Sequence, residues 1–209
     1  MDSSSTSLFA QSLWVGLAIA APVGPIGLLV IQRTLNHGPV VGLASGLGAA
    51  LADAAYGAIG AFGVAGLITL LGSLRVPMAM TGSVFLLWLA WRTWRSLPAE
   101  SAAPANGGSG LLASFVSTFL LTLANPATTV SFIAVFGALA GQGAPASPWP
   151  MVLGVLVGSA LWWLLLSSGV GLLRSRFDVG AQRSVNRVSA LLLAGFAVWQ
   201  WAVLLAAST

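Results

Sequence analysis

The segment from Pro22 to Tyr56 decides the fold class and the position of the candidate site. It opens with Pro22-Val23-Gly24-Pro25, and its second half carries Asp53 inside an apolar run. Two prolines and a glycine cannot continue an α-helix, because proline lacks an N–H donor and clashes with the preceding turn. Within lipid, such a break is tolerated only where protein or a cavity surrounds it. A carboxylate within a membrane helix indicates a functional site.

The composition is that of an integral membrane protein. The chain has 209 residues, of which 57% are hydrophobic and 6% are charged, and its mean hydropathy is +0.95. A soluble domain has about 25% charged residues, so this chain could not cover a soluble fold with a polar surface. The absence of cysteine excludes disulfides, thiolate metal sites, redox dithiols and kinship with membrane thiol carriers. A net charge of +4, scattered along the chain, gives no indication of nucleic-acid binding.

Hydropathy predicts six membrane helices, since a spanning helix needs about 20 mostly apolar residues. The N-terminus has no positive region before its apolar run, so it is predicted to be the first span and not a cleavable signal. A short loop around Arg33 and His37 is expected after the first span. The predicted spans are Leu8–Ile31, Val40–Gly66, Pro77–Leu97, Leu111–Ala140, Met151–Leu173 and Val188–Ala206.

The arginines predict the orientation. Cytoplasmic loops carry an excess of basic residues. Seven arginines fall in the odd-numbered loops and only Arg75 on the other side, which puts both termini outside the cytoplasm. The seven are Arg33, Arg92, Arg95, Arg174, Arg176, Arg183 and Arg187.

The two halves of the chain form a weak repeat. The first span breaks at Pro22–Pro25, and the fourth breaks at Asn125-Pro126. Gly48 to Asp53 in the second span corresponds to Gly158 to Trp163 in the fifth. Three spans per half give the halves opposite orientations, as in many transporters. We therefore predict one all-α membrane domain over 1–209, with repeat one at about 8–97, a mobile linker at 98–110 and repeat two at about 111–206.

The two breaks are candidate binding elements. The start of a half-helix exposes free N–H groups and the positive end of the helix dipole. Pro25 suits the first helical position, and Asn125-Pro126 suits an N-cap followed by a first position. Two such ends at the membrane midplane could bind an anion such as an amino-acid carboxylate. The alternative is that both prolines only kink the helices for packing.

Asp53 is predicted to point into the protein. At 100° per residue, six positions of the second span fall within an arc of about 80°, and small residues at this spacing mark close helix contact. Asp53 could be a counter-ion for an ammonium group, a proton carrier or both in turn, or it could be structural. Tyr56, one turn further on, could line the same cavity. The six positions are Gly42, Gly46, Ala49, Asp53, Gly57 and Gly60.

These motifs resemble the lysine-exporter (LysE) superfamily, which includes homoserine/threonine efflux proteins, over nearly the whole chain. The matching segments are Ala21-Pro22-Val23-Gly24-Pro25, Leu35-Asn36-His37-Gly38, Gly46-Leu47-Gly48-Ala49-Ala50-Leu51-Ala52-Asp53-Ala54-Ala55-Tyr56-Gly57, Gly82-Ser83-Val84-Phe85-Leu86-Leu87-Trp88 and Leu123-Ala124-Asn125-Pro126. The resemblance implies an inner-membrane amino-acid exporter driven by the proton gradient or by exchange. It assigns the family's membrane-embedded aspartate to Asp53 and its helix breaks to Pro22, Gly24, Pro25, Asn125 and Pro126.

The leading interpretation is a secondary exporter of amino acids or similar small zwitterions, with no enzymatic activity and no cofactor. Its expected partners are the substrate, protons or a counter-substrate, and the lipid bilayer, with a homodimer left open and no nucleic acid. The alternatives are a metal-cation exporter of the same fold and a non-transporting membrane scaffold. One aspartate without cysteine or intramembrane histidine is a poor ligand set for a metal. A scaffold would leave the broken helices and the buried acid unexplained.

Overall fold

A computed structural model describes residues 3–22, 24–62, 75–95, 107–125, 127–132, 148–174 and 179–206. All regular structure within these ranges is helical, and residues 127–132 form one further helical segment. The chain is thus an all-α protein, as predicted. The helices are α1 (Ser3–Ala20), α2 (Pro25–His37), α3 (Pro39–Ala61), α4 (Arg75–Arg95), α5 (Gly107–Leu123), α6 (Trp149–Leu173) and α7 (Val179–Ala206).

The described helices account for two or three of the six predicted spans by length and hydropathy. α3, with 23 residues, and α6, with 25, could each cross a membrane alone. Ser5–Ala20 and Pro25–His37 qualify together as one span bent by 77° at the break between them. α4 and α7 do not meet the same criterion, so the six-span arrangement stays a prediction.

Both predicted helix breaks are present. α1 ends at Ala20, and α2 begins at Pro25 with Gly24 as its N-cap in an extended conformation (φ −106°, ψ −162°). α5 ends at Leu123, and the chain becomes helical again at residue 127. Asn125 caps the new helical segment, because its Oδ1 accepts the N–H of Ala127 at 3.1 Å.

A single glycine connects α2 to α3. Gly38 has φ +98°, in the region that side chains avoid, and Pro39 follows as the first residue of α3. The expected loop around Arg33 and His37 is therefore wrong, because α2 stays helical through both residues. The end of the bundle at this turn is called the Gly38 end below.

Other boundaries also differ from the predictions. α7 begins at Val179 and not at Val188, so Arg183 and Arg187 lie on a helix and not in a loop. Helices tolerate arginine at their ends because the long side chain can extend to the interface. α5 begins at Gly107, inside the stretch 98–110 predicted as a linker, and 98–106 lies outside the described residues.

Glycines allow α3 to pack closely against its neighbours. A Cβ on Gly46 would overlap the side chain of Trp163 in α6, and a Cβ on Gly48 would overlap the backbone of Phe115 in α5. Five of the six small-face positions are buried, and Gly60 is half-buried. The prediction that this face of α3 meets other helices is therefore confirmed. α3 lies between α5 and α6 and also packs on α2.

Large apolar side chains on the outer surface are exposed, as expected of helices that face lipid. Leu172 is 81% exposed, and Leu165 and Leu191 are each 62% exposed. The core, in contrast, contains Leu29, Val30 and Leu193, all with no exposed surface. The apolar composition of the chain is thus distributed over both the core and the outer surface of the bundle.

Candidate functional site

The two helix breaks meet at one small pocket. Pro25 at the start of α2 and Asn125 at the second break both line it. The breaks are distant in sequence, and the fold brings them together at one site. The full set of lining residues is Pro25, Ile26, Gly82, Leu86, Leu121, Ala124 and Asn125.

The first break supplies free N–H groups and open space. Pro25 has no N–H, and the first helical hydrogen bond is the one from Leu28 N to the Gly24 oxygen at 3.0 Å. The N–H groups of Ile26 and Gly27 therefore precede the hydrogen-bonded turns of α2. A Cβ on Gly24 would have no other heavy atom within 4 Å. Pro22 is exposed in the break and is not among the residues that line the pocket.

Tyr56 is hydrogen-bonded to both sides of the second break. Its hydroxyl donates to the carbonyl oxygen of Leu123, the last residue of α5, at 2.7 Å. It also lies 2.8 Å from the hydroxyl of Thr129 in the next helical segment. The ring stacks on Phe132 with centroids 5.4 Å apart. Tyr56 thus satisfies a carbonyl that the end of α5 leaves without a helical partner, and it fixes the geometry of the break.

Asp53 lies on the side of α3 that faces α6. It is 3% exposed, and its Oδ2 accepts the hydroxyl proton of Ser159 at 2.7 Å. The indole Nε1 of Trp163 donates to the same Ser159 oxygen at 3.1 Å. Asp53 points into the protein, as predicted, but neither Asp53 nor Tyr56 is among the residues that line the pocket.

In the structure, the predicted site residues therefore fall into two separate groups. Pro25 and Asn125 line the pocket, and Tyr56 is linked to the pocket wall through Leu123, the neighbour of the lining residue Ala124. Asp53 belongs to a separate hydrogen-bond chain, one turn of α3 away from Tyr56. Pro126, the remaining predicted residue, lies outside the described residues.

Sequence reasoning missed three polar residues. Ser159 and Thr129 were not predicted, although Ser159 follows Gly158 in the segment that matches Gly48 to Asp53. Arg33 was assigned to a loop, but it lies in α2 and donates to side chains of α3 and α5. Trp163 is buried and hydrogen-bonded in the core. Within the ranges that the structure describes, no group of three or more His, Cys, Asp or Glu could hold a metal ion.

Comparison with known proteins shows the family. The family model described as LysE type translocator matches residues 17–201. The chain is 31% identical to "Uncharacterized membrane protein YahN" of Escherichia coli (strain K12) over 91% of this chain and 88% of that protein. It is 22% identical to "Putative amino acid efflux protein YcgF" of Bacillus subtilis (strain 168) over 91% of this chain and 94% of that protein. No solved structure matches the chain. With both helix breaks and the buried aspartate in place, the chain belongs to the LysE type translocator family of multi-pass membrane proteins.

Proposed function

We propose that the protein is a secondary exporter of amino acids or similar small zwitterions across the inner membrane, coupled to protons or to exchange. The observation that carries this proposal is the pocket shared by the two helix breaks, Pro25 on one side and Asn125 on the other. Interrupted helices at corresponding positions of two repeats indicate a transporter binding site. The name of the Bacillus relative, "Putative amino acid efflux protein YcgF", agrees with this cargo.

The helix packing supports two inverted three-helix repeats. Exchanging α1 for α5, α3 for α6 and α4 for α7 leaves the set of principal helix pairs unchanged. The exchange turns the α1–α6 pair into the α5–α3 pair, which also packs together. It turns the α3–α6 pair and the α4–α7 pair each into the same pair with its two members swapped. This is the packing expected when a pseudo-two-fold axis relates the halves.

Two glycines, one in each half of the chain, make equivalent contacts with a neighbouring helix. A Cβ on Gly48 would overlap the Phe115 carbonyl and lie 3.1 Å from Phe119 N in α5. A Cβ on Gly158 would overlap the Leu13 carbonyl and lie 3.0 Å from Leu17 N in α1. Each glycine thus packs on residues four apart in a helix that precedes a break. The corresponding positions are those predicted from the sequence repeat.

In the proposed site, the substrate carboxylate binds the half-helix ends at the pocket. The free N–H groups of Ile26 and Gly27 and the positive dipole end of α2 favour an anion there. Apolar side chains of Leu86 and Leu121 form the wall of the pocket, as is usual for small-molecule sites. Asp53, with its rotamer held by Ser159, is the candidate group for the substrate ammonium or a proton.

The arginine-rich Gly38 end is proposed to face the cytoplasm. Arg174 donates to the carbonyl oxygens of Leu35 and Asn36 at the end of α2, at 2.7 and 3.2 Å. Arg187 lies over the ring of Trp94 at 5.9 Å. Arg92 of α4 also interacts electrostatically with Arg33 and His37. Arginines of α4, of α7 and of the position directly after α6 thus lie near one end of the bundle, in agreement with the positive-inside rule. Both termini would then lie outside the cytoplasm.

Uptake into inverted vesicles tests the function. Vesicles that contain the protein, and matched vesicles without it, are supplied with a panel of labelled amino acids, with and without a pH gradient. We expect accumulation of at least one amino acid that depends on the protein and on the gradient or on internal counter-substrate. Absence of protein-dependent uptake over the whole panel, with the protein present in the membrane, would contradict the proposal.

A further inference from the structure

Arg33 is a cation whose described hydrogen-bond partners are all neutral. Its Nη1 lies 2.9 Å from the Ser45 hydroxyl on α3, and 2.9 Å from both the Ser114 carbonyl and the Thr118 hydroxyl on α5. Its Nη2 donates to the Ser117 hydroxyl at 2.9 Å. The guanidinium is partly buried between three helices. A cation in such a position is normally paired with an anion.

The surroundings of Arg33 add positive charge. Arg92 repels Arg33, and His37 interacts electrostatically with Arg33, Arg92 and Arg174. Asp53 is the only carboxylate among the described residues. It lies eight residues beyond Ser45 on α3, which corresponds to about 12 Å along the helix. Within the described part of the chain, the Gly38 end thus has several cations and no carboxylate.

We propose that Arg33 is a binding site for the carboxylate of the transported amino acid, at the Gly38 end of the bundle and before the pocket at the breaks. This inference rests on the proposed function and adds a second site to it. The ligand class is a small carboxylate, bound by the guanidinium together with the hydroxyls of Ser45 and Thr118, and it takes the place of the Ser117 hydroxyl that Nη2 now contacts.

Hydrogen-bond strength explains why a carboxylate would compete for this guanidinium. A carboxylate accepts two parallel N–H groups from arginine, and such charge-assisted bonds are about twice as strong as bonds to neutral acceptors. The hydroxyls of Ser45 and Thr118, which now accept from Arg33, can instead turn their protons toward the carboxylate. Because Ser45 belongs to α3 and Ser117 to α5, this exchange would also release the polar link between α2 and those two helices.

Side-specific transport of acids and amides tests the proposal. Half-saturating concentrations for a transported amino acid and for its carboxamide are measured in inside-out vesicles, where the Gly38 end faces the medium. The preference of the wild type for the acid should fall about tenfold in Arg33→Gln, the usual effect of losing a hydrogen bond to a charged group. Arg95→Gln is the control, because Arg95 is exposed and stacks on Trp91 at 3.9 Å. It should keep the wild-type preference.

The same variants are then measured from the other side. Arg33→Gln should leave the half-saturating concentration unchanged in right-side-out vesicles loaded for exchange. An unchanged acid preference in Arg33→Gln would overturn the proposal and leave Arg33 as a structural cross-link. Failure of the wild type to transport any amino acid would instead contradict the proposed function.

Ser117→Ala keeps the test decisive if Arg33→Gln does not accumulate in the membrane. Removing the Ser117 hydroxyl frees Nη2 from its neutral acceptor without changing the charge. The half-saturating concentration for the acid should fall about threefold, on the order of one neutral hydrogen bond, while that for the carboxamide stays constant. Equal effects on acid and amide, or no effect on either, would overturn the proposal.

Discussion

At the scale of single residues, Asp53 shows how a buried carboxylate can be held in a membrane protein. Its Oδ2 accepts from Ser159, and Ser159 accepts from Trp163. These two hydrogen bonds fix the rotamer of the carboxylate without a countercharge, since no described basic side chain is bonded to Asp53. A group held in this way suits the role proposed for Asp53, the binding of a proton or of an ammonium group.

Asp53→Asn should separate coupling from folding. Asparagine keeps the shape and can still accept the Ser159 proton through its amide oxygen, so we expect normal abundance. It cannot carry the carboxylate charge, so the variant should no longer accumulate substrate against a gradient, while slow downhill exchange persists. Uptake into inverted vesicles measures both the accumulation against a gradient and the downhill exchange. Asp53→Glu, which keeps the charge, should retain part of the activity.

The structural alternative for Asp53 predicts a different pattern. Asn would then be tolerated in every transport assay, whereas Asp53→Leu or Asp53→Ala would reduce abundance and thermal stability. Gradient-driven uptake by Asp53→Asn at the wild-type rate would falsify the coupling role.

At the scale of helices, the breaks are stabilised in different ways. The first is fixed by its own sequence, since Gly24 and Pro25 begin α2 without a side-chain cap. The second is held by Asn125 from within and by Tyr56 from α3. The second break therefore has one local support and one tertiary support. Because the Tyr56 contacts stay intact when Asn125 is changed, such a change should affect transport more than the membrane level of the protein.

Asn125→Leu tests the second break. The change removes the N-cap and a polar group from the pocket wall, at a cost of about 1 kcal/mol for the cap. Export should fall at least severalfold while membrane abundance changes little. Asn125→Ser is the matched control, because serine is as good an N-cap as asparagine, and it should retain more activity than the leucine variant. Equal activity of the two variants would show that the cap is unimportant.

Gly24→Leu tests the first break. The backbone of Gly24 has φ −106°, which any residue adopts, and its Cβ would point into space without atoms within 4 Å. The protein should therefore fold normally, and the added side chain should occupy volume that a substrate needs. Uptake normalised to abundance measures the loss. Normal transport would exclude this space from the substrate path.

Close packing of α6 on α1 should depend on Gly158. Gly158→Ala places a methyl group against the Leu13 backbone, which cannot move as a side chain can, so a loss of about 1–3 kcal/mol is expected. Gly169→Ala on the same helix is the control, because a Cβ there meets nothing within 4 Å. Thermal unfolding of the detergent-solubilised variants should show a lower midpoint for Gly158→Ala only.

At the scale of the whole molecule, the arginine-rich Gly38 end predicts the orientation. Single cysteines can be added cleanly, since the chain has none. An impermeant thiol reagent applied to intact cells should label Ser3→Cys and Ser147→Cys, while Ser184→Cys should stay protected. Labelling in the reverse pattern would show that the Gly38 end faces outward.

The sequence predicts features that arise from local chemistry. Proline at positions 22, 25 and 126 indicates a break without knowledge of the fold, and the spacing of glycines on α3 indicates which way Asp53 points. Contacts between distant segments are not predictable in this way. Ser159 lies 106 residues from Asp53, and the partners of Arg33 on α5 lie 81 to 85 residues away. A single sequence contains no signal that pairs such residues.

The hydrogen bonds that join Trp163, Ser159 and Asp53 also have a fixed direction. The indole of Trp163 can only donate, so the Ser159 oxygen must accept from it and direct its own hydrogen to Oδ2 of Asp53. Ser159 cannot pass a proton onward, because the indole nitrogen of Trp163 has no free lone pair to accept one and its N–H acts only as a hydrogen-bond donor. This branch is closed to proton conduction, so in the proposed coupling a proton would have to reach Asp53 by a route other than Ser159.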